Sequence, residues 1–200
     1  MRTISKIILI WLVILTICPI EVFSKFSLLS KVRQKYSGVQ TIKGRFVQEV
    51  EFPDGRKKLF SGFFYFKGDK SRWDYDEPDE QTVLVLGKRV LIYDPFVGEV
   101  QEGSVDFPFV YRDVLLHPER LKRYFKVEEK QDEVVLVPLQ DSQLKKVVVH
   151  FGRDLVIKKV IVVDAMGNIT RLSFKDMKFN EPIPDKLFDI EEVKKGYAAD

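Results

Sequence analysis

The residues that could do chemistry are few and scattered. Histidine occurs twice, at His117 and His150. His117 precedes Pro118 between two candidate helices, and His150 sits in a strand-like run between Val149 and Phe151. Neither has a second histidine at metal-ligand spacing, and the lone cysteine, Cys18, lies far away in the chain. The loop Asp74-Tyr75-Asp76-Glu77-Pro78-Asp79-Glu80 is rich in carboxylates, which suits a cation site or an acid/base pair. It lacks the spacing and the glycine of a calcium loop, and a solvated turn accounts for it. There is no Gly-x-Ser-x-Gly elbow and no phosphate loop, and Ser104 and Ser142 are lone loop serines. The residues give an enzyme no positive support; no catalytic residue, metal or cofactor is expected.

The elements that position these residues must therefore carry the function some other way. The chain has 200 residues, 45% hydrophobic, 32% charged and 12% aromatic, which suits one ordinary globular domain. With 16 Phe, 7 Tyr and 2 Trp it can build a core and is not disordered. With 11 Gly and 1 Cys it is neither collagen-like nor a disulfide scaffold. The net charge is +3 with both signs heavily represented and no basic stripe, so nucleic acid is not an expected partner.

The first segment reads as an address. Arg2 and Lys6 precede an unbroken apolar run from Ile7 to Ile17, shorter than the roughly 20 residues that span a bilayer. Pro19 and Val22-Phe23-Ser24 follow, the pattern of a secretory signal cut after Ser24. The expected division is residues 1–24 as a cleavable signal and 25–200 as one exported domain in the periplasm. A lipid-modified cysteine would need a small residue before it, and Cys18 follows Ile17.

Lys25–Ser37 has Phe26, Leu29 and Val32 at helical spacing, with Leu28 and Tyr36, and ends at Ser37-Gly38. Period-two alternation then begins. Thr41–Phe52 places Ile42, Gly44, Phe46, Gln48 and Val50 on one face and charged residues on the other. After the turn Pro53-Asp54-Gly55, Lys58–Lys67 carries Phe60, Gly62, Phe64 and Phe66 on one face, and Ser71–Tyr75 carries Trp73 and Tyr75. Further strands are expected at Thr82–Leu86, Arg89–Tyr93, Glu99–Gln101, Phe125–Glu129, Val134–Leu139, Lys145–Phe151, Ile157–Asp164 and Ile169–Met177. Their separators are too short for parallel crossovers. Between Gly103 and Tyr124 the rhythm breaks into two stretches opened by Pro108 and Pro118, which suit helix starts. The class is mainly β with α. One large antiparallel sheet must curl or split. Pattern alone leaves two readings open: a curved sheet whose helices complete a packed core, or one with an apolar hollow under movable helical covers.

Trp73-Asp74-Tyr75-Asp76-Glu77-Pro78, then Gly87-Lys88, then Tyr93-Asp94-Pro95-Phe96, resembles the LolA family of periplasmic lipoprotein carriers. Phe46-Val47-Gln48 is similar to its first-strand Phe-x-Gln, and Gly62, Gly167-Asn168, Asn180 and Phe188 follow in the family's order. The resemblance covers about Leu28 to Gly196. It implies a single-domain, incomplete antiparallel β-barrel whose apolar concave face is covered by an N-terminal helix and a helical lid. It further implies a monomeric carrier without cofactor. Such a carrier takes acylated lipoproteins from an inner-membrane ATP-binding-cassette releasing complex to an outer-membrane receptor. The expected lipid-binding lining is Phe46, Val50, Phe64, Phe66, Trp73, Tyr75, Val83, Val85, Leu91 and Tyr93. The expected lid residues are Leu29, Val32, Phe109, Val110 and Leu115. The family's lid-tethering Arg-Pro is missing; its place reads Lys67-Gly68-Asp69-Lys70, so Lys67 or Arg72 is the candidate latch. The alternatives are a carrier or sensor of another envelope lipid on the same fold, or an outer-membrane receptor, which Ile17-Cys18 argues against.

Overall fold

The computed structural model describes residues 27–104, 114–115 and 117–198. Helix α1 (Leu28–Tyr36) starts where the Ser27 hydroxyl accepts the Ser30 N–H at 3.1 Å, leaving one fewer orphan donor in the first turn. Arg33 and Lys35 sit in the last turn, where positive charge suits the helix dipole. Leu28, Leu29, Val32 and Tyr36 form its one buried stripe.

Among the described residues, eleven strands form one antiparallel sheet. They are β1 (Thr41–Glu51), β2 (Lys57–Lys67), β3 (Lys70–Glu77), β4 (Gln81–Leu86), β5 (Arg89–Asp94), β6 (Glu99–Ser104), β7 (Phe125–Glu129), β8 (Glu133–Pro138), β9 (Leu144–Phe151), β10 (Ile157–Asp164) and β11 (Ile169–Phe179). The order is β6-β5-β4-β3-β2-β1-β11-β10-β9-β8-β7. Consecutive strands pair through short hairpins, and β1 joins the two halves by pairing with β11. The edges, β6 and β7, are also consecutive in the chain and do not pair. The sheet is thus open, the incomplete barrel that the family resemblance implies. Between the edges, Val114, Leu115 and the short helix α2 (Pro118–Leu121) enter the same core as α1.

Two glycines let the sheet carry large rings at its centre. Phe46 lies opposite Gly62, and Phe64 lies opposite Gly44. A Cβ on Gly62 would stand 1.9 Å from the Asp74 carbonyl oxygen and 3.0 Å from the Phe46 ring. One on Gly44 would meet the Lys175 carbonyl at 2.8 Å and the Phe64 ring at 3.0 Å. Each glycine clears the space its cross-strand aromatic occupies.

The outer face has its own small core, built by a C-terminal segment that strand alternation does not announce. A 3-10 turn (Asp185–Phe188) leads into helix α3 (Ile190–Ala198), and Val193 packs with Leu84, Leu91 and Tyr93. Tyr93 and Tyr197 have ring centroids 5.6 Å apart. This corrects two expected lining residues. Trp73 pairs with Val83, and Val83 with Ile92, so the inner phase of β5 is Val90 and Ile92. Leu91 and Tyr93 belong to the outer face. They are apolar because α3 covers them, so β5 shows no polar face from which to read its phase.

Among the described residues the candidate latch cations, Lys67 and Arg72, hold the C-terminal segment. Lys67 Nζ donates to the Ile183 carbonyl at 2.9 Å and pairs with Asp185 at 3.0 Å, and Lys70 reaches the same carboxylate at 3.2 Å. Arg72 grips Asp74 through Nε and donates from Nη1 to the Leu187 carbonyl at 3.1 Å. Thr82 Oγ1 adds a bond to Asp74 at 2.8 Å. These cations fasten the C-terminal segment to the outer face, because the odd phase of β2 and the even phase of β3 point there.

Two outcomes follow. Gly62→Ala should cost about 3 kcal/mol or more of stability in urea unfolding, because the clashing atom is backbone and cannot step aside. Gly103→Ala, with nothing within 4 Å, should change it by less than about 0.5 kcal/mol. Hydrogen bonds from Lys67, then Lys70, hold the Asp185 carboxyl below its ordinary range. A depressed carboxylate contributes stability above its unfolded pKa and loses it as pH falls through the folded one. The melting-temperature gap between wild type and Asp185→Asn should be full at pH 7 and close as pH falls below about 4. A gap unchanged at pH 2 would contradict this tie.

Candidate functional site

The inner face of β1–β3 is an aromatic floor. Phe46 and Phe64 are fully buried, and Phe66 and Trp73 nearly so. Phe46 meets Trp73 edge-on at 5.3 Å and Tyr75 at 5.0 Å. Phe64 lies 5.2 Å from Phe66, 5.6 Å from Trp73 and 5.1 Å from Phe174 of β11. Offset and edge-on contacts at these separations are the favoured aromatic geometries. Tyr75 is half-buried; its hydroxyl donates to Gln48 Oε1 at 3.0 Å, which satisfies two polar groups at the margin of the floor. Val50 and Val83 are half-buried on the same face, and Val85 is buried. Of the ten residues expected to line the sheet, eight therefore share its inner phase, and Leu91 and Tyr93 do not.

The far half of the floor was not among the expected residues. Leu172 and Phe174 of β11, Val160 of β10, Val147 and Val149 of β9, and Val134 and Leu136 of β8 continue the apolar surface. The signal was present in period-two runs such as Val147-x-Val149-x-Phe151. The short loops between these strands concealed which phase faced inward.

Two covers lie on this surface. Leu29 and Val32 of α1, and Leu115, are buried in the same cluster as the floor. Val114 and Leu121 join them. Phe109 and Val110 fall outside the described residues. Helix α1 is tied at both ends. Glu129 of edge strand β7 accepts the Leu29 N–H at 2.9 Å, supplementing the Ser27 cap. At the other end Lys35 donates to the Asp154 carbonyl and Tyr36 to the Leu155 carbonyl at 3.3 Å. The Tyr36 ring meets Phe179 edge-on at 5.5 Å. Burial first, and Asp154 second, push the Tyr36 phenol well above its ordinary pKa, so it stays a donor.

The polar side chains around this site are engaged with one another. The carboxylate loop is spent on structure: Asp74 holds Arg72 and Thr82, and Asp76 accepts from Ser61 at 2.6 Å. His150 faces Glu133 at 3.4 Å and His117 faces Glu119 at 3.6 Å. Among the described residues no group of three His, Cys, Asp or Glu side chains could hold a metal. The chemistry on offer is burial of hydrocarbon.

The family model described as "Outer membrane lipoprotein carrier protein LolA" matches residues 37–191, most of the chain. The chain belongs to the LolA family. A protein of Xanthomonas campestris pv. campestris (strain B100), named outer-membrane lipoprotein carrier protein, is 30% identical over 158 residues, covering 72% of this chain and 74% of that one. One of the same name from Methylibium petroleiphilum (strain ATCC BAA-1232 / LMG 22953 / PM1) is 28% identical over 159 residues, 75% and 78% of the two chains. A DUF1329 family protein from Desulfovibrio piger ATCC 29098 superposes with a TM-score of 0.51 at 14% identity, over 82% of this chain and 95% of that one. That likeness speaks for the fold alone. The LolA match spans β1 through the first residues of α3 and begins just after α1, so the floor lies within it and the first cover precedes it.

If Glu129 holds the start of α1, Glu129→Ala should speed amide exchange across Leu28–Tyr36 about fivefold and leave β1 and β2 unchanged. Exchange equal to wild type would show that the carboxylate does not hold the cover.

Proposed function

We propose that this chain is a periplasmic carrier that binds the acyl chains of lipoproteins released from the inner membrane and delivers them to an outer-membrane receptor. One observation carries the reading. Among the described residues the apolar inner face is covered by separate helical pieces, α1 and Val114, Leu115 and α2, rather than by more sheet. Each buried methylene is worth about 0.8 kcal/mol, so a multiply acylated protein does not leave a bilayer unless it meets comparable apolar surface. The aromatic floor is such a surface. The covers shield it when empty, which keeps a large apolar patch out of water. They also make binding reversible. An arriving acyl chain must displace Leu29, Val32 and Leu115 from the surface they already bury, so its net affinity is a difference between two similar burials.

The rest of the reading follows from the family. Residues 1–24, a signal segment that lies outside the described residues, would export the chain. Among the described residues no helix is long and apolar enough to cross a membrane. The donor would be an ATP-binding-cassette releasing complex, the acceptor an outer-membrane receptor, and the carrier a monomer that performs no reaction of its own.

The test is release. Purified chain from Lys25 to Asp200 is added to energised spheroplasts that express its own species' releasing complex and make a labelled lipoprotein. Label should appear in the supernatant bound to this protein in a one-to-one complex. Folded protein that releases no label in that system would overturn the reading.

A further inference from the structure

A second recess adjoins the covered floor. It is a cleft of about 580 Å³ lined by Val39, Gln40, Thr41, Lys67, Gly68, Asp69, His117 and Arg120. It forms where the entrance to β1 and the β2–β3 turn face helix α2. Its wall is shared with the inner core on two sides. Val39 packs against the core cluster, and Leu121, next to Arg120, is buried in it. An amphiphile could therefore lie with its chain on the floor and its head in the cleft.

The charges in the cleft define that head. Lys67 is committed to Ile183 and Asp185, and Thr41 Oγ1 donates to the Glu181 carbonyl at 2.7 Å. His117 has Glu119 at 3.6 Å. Arg120 is exposed and makes no ion pair among the described residues. Among the described lining residues Asp69 is the one carboxylate and Arg120 the one cation not already paired. A guanidinium with a free planar fork is suited to a carboxylate or a phosphate.

We propose that this cleft receives the anionic headgroup of a single-chain amphiphile whose hydrocarbon lies on the inner floor, with Arg120 as the residue that reads the charge. The proposal rests on the acyl-binding reading above and adds headgroup selectivity to it.

The test compares two fluorescent probes of equal chain length, a fatty acid and its methyl ester, on the purified chain at fixed ionic strength. The acid should bind about tenfold more tightly than the ester, the size of one charge-assisted hydrogen bond. Arg120→Ala should remove that preference and leave the ester's affinity unchanged; Arg120→Lys should keep part of it. Because Arg120 is exposed, the alanine variant should melt as wild type does, and the ester serves as a check on its floor. Inorganic phosphate should compete with the acid no better than chloride; displacement of the acid by millimolar phosphate would replace the amphiphile with a free anion. Equal affinity for acid and ester, or an equal loss of both in Arg120→Ala, would overturn the headgroup site while leaving the acyl-binding reading intact. Binding of neither probe would overturn both.

Discussion

The sheet does not close, and the rest of the molecule is organised around that gap. Strands β6 and β7 follow one another in the chain yet sit at opposite edges of eleven strands. Of the chain between them, the described part, Val114, Leu115 and α2, lies in the inner core. Side chains alone fill a barrel of about eight strands, and eleven strands enclose more space than that. Here the interior is filled from the open side, by segments joined to the sheet through loops. The same apolar surface that packs these segments is what the proposed acyl chains would occupy.

Strand β3 shows how the two faces depend on each other. Its odd residues, Trp73 and Tyr75, belong to the floor; its even residues, Arg72 and Asp74, belong to the outer network with Thr82 and the Leu187 carbonyl. The C-terminal segment therefore braces, from outside, a strand that a ligand would touch from inside. The covers and the floor therefore hang on different ties. The polar ties of α1, through Glu129, Asp154 and Leu155, fall on β7 and the β9–β10 turn, away from β3.

Much of this was legible in the residues because one face of β1–β3 is charged. Where Arg45, Glu49 and Glu51 alternate with Phe46, Gln48 and Val50, phase and register follow from period two, and Phe46, Phe64, Phe66 and Trp73 share one face. Where both faces are covered, the signal vanishes. In β5, Val90-Leu91-Ile92-Tyr93 is apolar throughout, and the wrong pair was assigned to the floor. The cause, α3, carries Ile190, Val193 and Tyr197 at helical spacing, a stripe too short to stand out. The candidate latch cations are a different case. A sequence position shared with a family does not say which face of a strand a cation serves, and Lys67 and Arg72 serve the outer one.

The central claim is that an acyl chain lies on the inner floor against Trp73. A chain beginning at Lys25 contains a single tryptophan, Trp73, so its fluorescence reports that one place. The measurement is quenching by a triacylated lipopeptide with brominated acyl chains, alongside an unbrominated one of equal affinity by calorimetry. The account predicts saturable quenching by the brominated ligand at its binding stoichiometry and none by the other. Brominated ligand that binds without dimming Trp73 would place the acyl chains elsewhere and contradict the account.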